Sequence, residues 1–249
     1  MEFSGLVLGL LLLSHGVADF ILQSNKMVED KVAGRWTTYI SHFFVVWITS
    51  VLFLHPFFSG QVVKVILSLS LAHLIVDWVS YRFTPPSRID SNPLGFALDQ
   101  LFHIILILLA WQWLRHIPRL SPIDFYSEII AVPACRENIG NGIIVSNVYL
   151  YVVFGGAIFI GKAMRSLPQE VSKYEVTGMG RYIGILERII ILTFILYQAV
   201  AGIAFVLMAK SLTRYQELNN KSFAEYYLVG TLWSTALALI GGLFFNLRK

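Results

Sequence analysis

Apolar runs of about twenty residues recur along this chain, and that is the length a helix needs to cross a hydrocarbon core about 30 Å thick. Seven segments qualify: 3–22, 37–54, 61–81, 94–114, 143–163, 183–209 and 224–246. Short connections with turn and charge signals separate most of them. One long connection, Arg115 to Gly142, carries Pro118, Pro122 and Pro133. The expected fold is therefore all-α, a polytopic membrane helical bundle of about seven transmembrane helices. Hydrophobic residues make up 56% of the chain and charged residues 14%, against roughly 45–50% and about 25% in a soluble domain. The mean hydropathy is +0.67. A surface so apolar is satisfied by lipid and not by water.

The spacing divides the chain into a four-helix module (1–115), a connection (116–142) and a three-helix module (143–249). The first apolar run follows Glu2, lacks the basic start of a secretory signal and shows no small-residue cleavage site, so it is expected to be a retained helix. A single cysteine, Cys135, excludes an intramolecular disulfide and any paired-cysteine metal site. The net charge of +4 comes from Lys and Arg in short loops, as membrane topology rules describe. No basic stripe with interleaved aromatics appears, so nucleic acid is not an expected partner. Membrane lipid is, and a homo-oligomer stays open.

With the N-terminus outside, the inner loops and tail hold Lys26, Lys31, Arg35, Arg82, Arg88, Arg165, Lys173, Arg181, Arg248 and Lys249. The opposite side holds Lys64, Arg115, Arg119, Arg136, Lys210, Arg214 and Lys221. Ten against seven leans toward N-out and C-in.

Ser14-His15-x-x-x-Asp19-Phe20 in the first helix resembles Ala72-His73-x-x-x-Asp77-Trp78 in the third, and each is followed by a helix with another histidine, His42 and His103. The offsets of 58 and 61 residues match one helical hairpin, so the first four helices read as a pseudo-repeated pair of hairpins. Parallel repeats place equivalent side chains around a shared interface.

Ionisable groups inside a bilayer cost roughly 2.5–3.5 kcal/mol each on insertion scales and face the bundle interior. Here they are His15, Asp19, His42, His73, Asp77, Asp99 and His103. His15/Asp19, His73/Asp77 and the reversed Asp99/His103 are i, i+4 pairs, each on one helix face. Ser91 or Asn92 is placed to cap the fourth helix, with Pro93 at its first position. The first and third helices reach their pairs near their C-terminal ends, the second and fourth near their N-terminal ends. With alternating direction all seven fall at one depth.

A lone membrane histidine is ordinarily a packing residue, and a His/Asp pair can neutralise itself. Seven converging groups leave more polar capacity than such pairing uses. Imidazole and carboxylate without thiolate suit Zn, Mn or Fe. The set exceeds the three or four protein ligands of one catalytic zinc, so either some residues orient the ligands or two ions share the site. Gln23, Gln100 and Arg82 follow these helices and are candidate supporting residues. The same alternation brings Glu187 and Arg188, at the start of the sixth helix, to that face. Lys210 or Arg214 is expected to pair with Glu225 on the other, and Gly155, Gly156, Gly161, Gly241 and Gly242 to mark close helix contacts.

His15-Gly-Val-Ala-Asp19-Phe-Ile-Leu-Gln23, Ala72-His73-Leu-Ile-Val-Asp77-Trp and Leu98-Asp99-Gln100-x-x-His103 resemble the signature of domain-of-unknown-function family 3307, a group of bacterial integral membrane proteins. The resemblance covers roughly residues 5–110. Leu186-Glu187-Arg188, Ala209-Lys210-Ser211 and Glu225-Tyr-Tyr-Leu-Val-Gly230-Thr231-Leu also look like the tail of its longer members. The resemblance implies the architecture and a bacterial inner-membrane location, and no reaction. A looser likeness to membrane-bound predicted metal-dependent hydrolases rests on the His/Asp pairs and is analogy.

The expected function is a metal-dependent membrane hydrolase holding one or two divalent ions, acting on a lipid or lipid-linked phosphate at the cytoplasmic interface. A metal-ion or proton transporter is the alternative, and a redox enzyme with iron a third. Helices apolar beyond the cluster disfavour a path across the membrane.

Overall fold

The computed structural model describes residues 3–117, 122–168 and 178–246. All regular elements among them are helical. Two compact units result: residues 1–86 with 94–147, and residues 87–93 with 148–249.

In the first unit, α1 (Phe3–Gly16) widens into a π-helical turn (Val17–Leu22) that ends at Gln23. There follow α2 (Asn25–Val32), α3 (Trp36–Leu54), α4 (Gly60–Phe83), α5 (Pro93–Arg115), α6 (Asp124–Ala131) and α7 (Pro133–Tyr149). The ends have local causes. Ser59 caps α4 by accepting from the Val62 N–H at 3.2 Å. The helix stops at Thr84 in extended backbone, as a residue before proline prefers. Helix α5 begins at Pro93, as expected, where a missing N–H costs nothing.

The faces are reversed relative to a soluble protein. On α3, Ile40, Phe44, Ile48 and Leu52 recur every fourth residue and are exposed, while His42, Thr49 and Ser50 are buried. Each of these helices therefore turns its apolar stripe outward and its polar one toward its neighbours, the arrangement a lipid solvent favours. At the end of the bundle away from the polar residues the interior is apolar: Leu6, Leu54, Phe57, Val62, Ile66 and Leu114 pack there. Among the described residues six helices are long and apolar enough to cross a membrane: Phe3–Leu22, Trp36–Phe57, Gly60–Phe83, Pro93–Arg115, Pro133–Arg165 and Lys221–Asn246. That is compatible with a multi-pass membrane protein.

In the second unit, the chain after α7 passes through another π-helical turn (Leu150–Gly155) into α8 (Gly156–Arg165). Helices α9 (Gly178–Leu196), α10 (Val200–Thr213) and α11 (Lys221–Asn246) complete it.

Three expectations change. The run 183–209 is not one span: the helix breaks at Tyr197–Ala199, where Gln198 has φ +58°, and α10 folds back along α9. Gly202 makes this hairpin tight, since a Cβ there would lie 2.7–2.9 Å from three ring atoms of Phe194. Apolar content does not distinguish one long helix from two short antiparallel ones. Second, the segment 116–142 contains α6 and the start of α7, so the fifth long helix begins at Pro133 and not at 143. Third, the loop expected over Lys26–Arg35 contains α2. Of the expected glycine contacts, Gly156, Gly241 and Gly242 are crowded by Leu237, Val152 and Ile195 respectively, while Gly161 meets nothing. Arg119, Lys173, Arg248 and Lys249 of the charge count, and Pro118, lie outside the described residues.

Candidate metal centre

Each histidine and aspartate of the first unit is delivered by a different local device. After α1 the π-helical turn carries Asp19, which is buried. Regular α-helix serves for His73 and Asp77 on α4, one turn apart. His42 sits in the second turn of α3, and Asp99 and His103 lie in the first three turns of α5. Six of the seven side chains are buried, and Asp99 is 17% exposed.

The structure brings all seven together. His42 Nε2 and His73 Nε2 approach to 3.1 Å. Asp19 Oδ1 lies 3.3 Å from the first and 3.5 Å from the second. Asp77 Oδ2 lies 3.5 Å and 3.7 Å from the same two nitrogens. These five separations span 3.1–3.7 Å. A tetrahedral ion with bonds of about 2.0–2.2 Å needs ligand separations of about 3.3–3.6 Å. Each of the triangles His42/His73/Asp19 and His42/His73/Asp77 therefore has edges close to those a first-row metal needs.

The other three surround this core. His103 Nε2 lies 3.7 Å from Asp77 Oδ1, and its Nδ1 lies 3.5 Å from Asp99 Oδ2. His15 Nδ1 is 3.8 Å from Asp19 Oδ1, and its Nε2 is 3.3 Å from Gln100 Oε1. The His73 and His103 rings stack with centroids 4.0 Å apart. A carboxylate holding the far nitrogen of an imidazole is the usual way such a ring is aimed. Several buried atoms make no hydrogen bond, among them Asp19 Oδ1, His42 Nδ1, Asp99 Oδ1 and both ring nitrogens of His103. Three overlapping groups have donor atoms within reach of one ion: His15/Asp19/His73, His42/His73/Asp77 and Asp77/Asp99/His103.

One residue that spacing left in a loop belongs to this site. Lys31 is fully buried, and its Nζ donates to Asp77 Oδ2 at 2.6 Å and to Gln23 Oε1 at 3.2 Å. It also lies 5.4 Å above the Tyr81 ring. Helix α2 aims it. Ser24 caps the helix, accepting from the Met27 N–H. At its other end Gly34, at φ +74°, lets the Gly34 and Arg35 N–H groups bond back to the Lys31 and Asp30 carbonyls, a Schellman stop. Tyr39 then donates to the Lys31 carbonyl at 3.0 Å. A helix of eight residues is too short to register as periodicity. The one signal in the sequence was a lysine facing inward with Met27 and Val28 on the same short segment.

The two His-x-x-x-Asp copies differ in chemistry. Gln23 and Tyr81, 58 residues apart like Asp19 and Asp77, meet at 3.4 Å. Only the second copy has Lys31 on its carboxylate. Four imidazoles, three carboxylates and one ammonium share the buried cluster.

The supporting candidates divide. Gln23 and Gln100 touch the site. Arg82 is exposed, and no contact ties it to the cluster among the described residues. Glu187 and Arg188 lie in the second unit with partners there. Lys210 donates to Glu187 Oε2 at 2.7 Å, which corrects the expected Lys210–Glu225 pair. The α9–α10 hairpin is the reason, since it brings residues on either side of the break to one level. Arg214 pairs with Glu217, and Glu225 lies 4.0 Å from Lys221.

Residues 7–128 match the model of a family described as "Protein of unknown function (DUF3307)". The chain thus resembles that family across its first half, which contains all seven His and Asp residues. The segments 186–188, 209–211 and 225–232 lie outside the match. No curated protein and no solved structure matches the chain.

Proposed function

We propose that the first unit is a divalent-metal centre of a bacterial inner-membrane enzyme, most consistent with a hydrolase acting on a lipid or lipid-linked phosphate. The observation that supports this reading is the pair His42 and His73, 3.1 Å apart, with Asp19 and Asp77 each 3.3–3.7 Å from both ring nitrogens. His15, Asp99 and His103 would orient these residues or help to hold a second ion. Zinc, manganese and iron all suit the donors.

A bound divalent ion would supply Lewis acidity and an activated water. The chain's own residues do the rest. Lys31 holds Asp77 and keeps a positive charge beside the position a phosphoryl oxygen would take. Gln23, Asp99 and Gln100 lie on the less buried side of the cluster, toward the joint between α1 and α2, which supports access from the membrane interface. Behind the histidines a small cavity lined by Leu11, Ser14, Val46 and Leu106 gives way to apolar packing. That packing speaks against a continuous polar path and therefore against the transporter reading.

For topology we infer an N-outside chain with α2 on the cytoplasmic face. Within the second unit the α9–α10 hairpin replaces one crossing by a return, which brings Lys210 to the level of Glu187.

Elemental analysis of the purified full chain tests the core of the proposal. About one or two divalent ions per chain are expected, with loss on His42→Ala or His73→Ala. A chain free of transition metal after purification and after incubation with zinc, manganese or iron would overturn it. Chelator-sensitive release of phosphate from a lipid phosphate monoester tests the hydrolase assignment separately.

A further inference from the structure

The connection between α5 and α7 carries a short helix with two apolar faces. In α6 (Asp124–Ala131), Ile130 is 5% exposed within the apolar core of the first unit, and Tyr126, one turn earlier, packs against the same core. On another face Phe125 is 77% exposed, Ile129 51% and Val132, at the C-cap, 47%. Their spacing of four and three residues keeps them on one stripe. Asp124 and Glu128 fill the remaining sector and are exposed as well. Packing on the core therefore accounts for one apolar face and leaves the other open, next to an acidic edge.

The helix is clamped at one level of the bundle. The Ile123 N–H donates to the Pro56 carbonyl at 2.8 Å. The His55 Nδ1–H donates to the Leu52 carbonyl at 2.6 Å, so in the neutral ring Nε2 accepts the Tyr126 hydroxyl, also at 2.6 Å. His55–Phe57 is the turn between α3 and α4, and Phe57 and Leu114 share the core cluster of Ile130. Candidate membrane spans end at Phe57 and Arg115 and begin at Gly60 and Pro133. A level at which several spans end is the edge of the hydrocarbon. There an amphipathic helix lies with its apolar side toward acyl chains and its charges in water. Three side chains offer far less than the about 800 Å² per partner of a standard protein interface, which favours lipid over a second protein.

We infer that α6 is an interfacial helix that seats Phe125, Ile129 and Val132 among phospholipid acyl chains, at the membrane face away from the metal centre. The inference rests on the membrane bundle and requires no metal. The anchor also sets the depth of the His/Asp cluster. His42 and His103 stand twelve residues from Leu54 and Arg115, which is about 18 Å at 1.5 Å per residue. In a hydrocarbon core about 30 Å thick, that leaves the cluster about 12 Å beneath the opposite surface.

Single cysteines test the inference in the full chain with its native cysteine replaced (Cys135→Ser), spin-labelled and reconstituted in vesicles of phosphatidylcholine and phosphatidylglycerol. Phe125→Cys, Ile129→Cys and Val132→Cys read the apolar face, and Asp124→Cys and Glu128→Cys the acidic one. Phe44→Cys, outward on α3, gives the signal of a site in the hydrocarbon. Power saturation compares collisions with oxygen, which concentrates in lipid, and with a nickel chelate, which stays in water. The apolar-face sites are expected to shift several-fold toward oxygen, in the direction of Phe44→Cys, and the acidic sites toward nickel. Positions 129 and 132 decide the matter should Phe125→Cys fold poorly. Equal nickel access on both faces would overturn the inference. So would dipolar broadening between labels on the apolar face, which would put a second copy of the chain there instead of lipid.

Discussion

Two buried polar clusters, one in each unit, start from the same device and end with opposite charge. In the first, a π-helical turn carries Asp19, and three carboxylates face the single ammonium of Lys31. In the second, a π-helical turn presents the Val153 carbonyl, and Arg188 and Lys210 share the single carboxylate of Glu187. A π turn misaligns one stretch of backbone, which lets a helix turn polar groups toward its neighbours without a proline or a break. The first cluster gathers carboxylates and imidazoles, the second basic groups and a lone carboxylate. The comparison also separates compact motifs from dispersed ones: the first cluster rests on three i, i+4 pairs, the second on residues from three helices with no repeated spacing.

The comparison breaks most directly at the metal. His42→Ala with His73→Ala is expected to lower divalent-ion affinity by at least about 100-fold, as loss of two of four donors implies, while Arg188→Gln leaves it unchanged. Elemental analysis and competition with a chromogenic chelator read both. Metal loss in Arg188→Gln would mean that the clusters act as one.

Lys31→Met removes the ammonium that holds Asp77 Oδ2 at 2.6 Å. Breaking a buried pair costs about 3–5 kcal/mol, so the metal-free variant should melt far below the wild type. A divalent ion should restore more stability to it than to the wild type, because the ion then replaces the missing ammonium beside Asp77. Thermal melts with and without metal measure this, and equal metal-induced shifts in the two proteins would remove Lys31 from the site.

Gly202→Ala forces a methyl into the Phe194 ring and is expected to destabilise by about 1–3 kcal/mol. Cross-linking between cysteines placed near positions 187 and 210 should fall with it. An unchanged cross-link would contradict the α9–α10 hairpin, and with it the Glu187–Lys210 pair. The smallest effect is expected at α2. Gly34→Ala, at φ +74° with open space around it, should cost about 1 kcal/mol from backbone strain alone. It should lower metal affinity little, since the Lys31–Asp77 contact survives a modest loosening of the helix stop.

Much of the first cluster was legible because helical periodicity is local. His15/Asp19, His73/Asp77 and Asp99/His103 each announce a shared face within one turn, and alternating helix direction places the pairs at one depth. Gln23 and Tyr81 share the same 58-residue offset and meet at 3.4 Å, a contact that only the structure revealed. Lys31 was not legible in the same way, since a basic residue after a membrane span ordinarily reads as a headgroup contact. Its burial depends on the Gly34 stop and on the Tyr39 hydroxyl, both of which act only once α2 has folded back. The run 183–209 was misread for a related reason: hydropathy measures how greasy a segment is, and both a long helix and a tight hairpin are greasy.

By itself the sequence determined the solvent, the helical class and the set of seven His and Asp groups, because composition and i, i+4 spacing are properties of the chain before it packs. Tertiary structure alone decided that Asp19 and Asp77 each stand 3.3–3.7 Å from both His42 and His73, that Lys31 joins them, and that Glu187 is spent on Lys210. Those outcomes depend on where helices widen, stop and turn back, and such events are settled by contacts between segments distant in the chain.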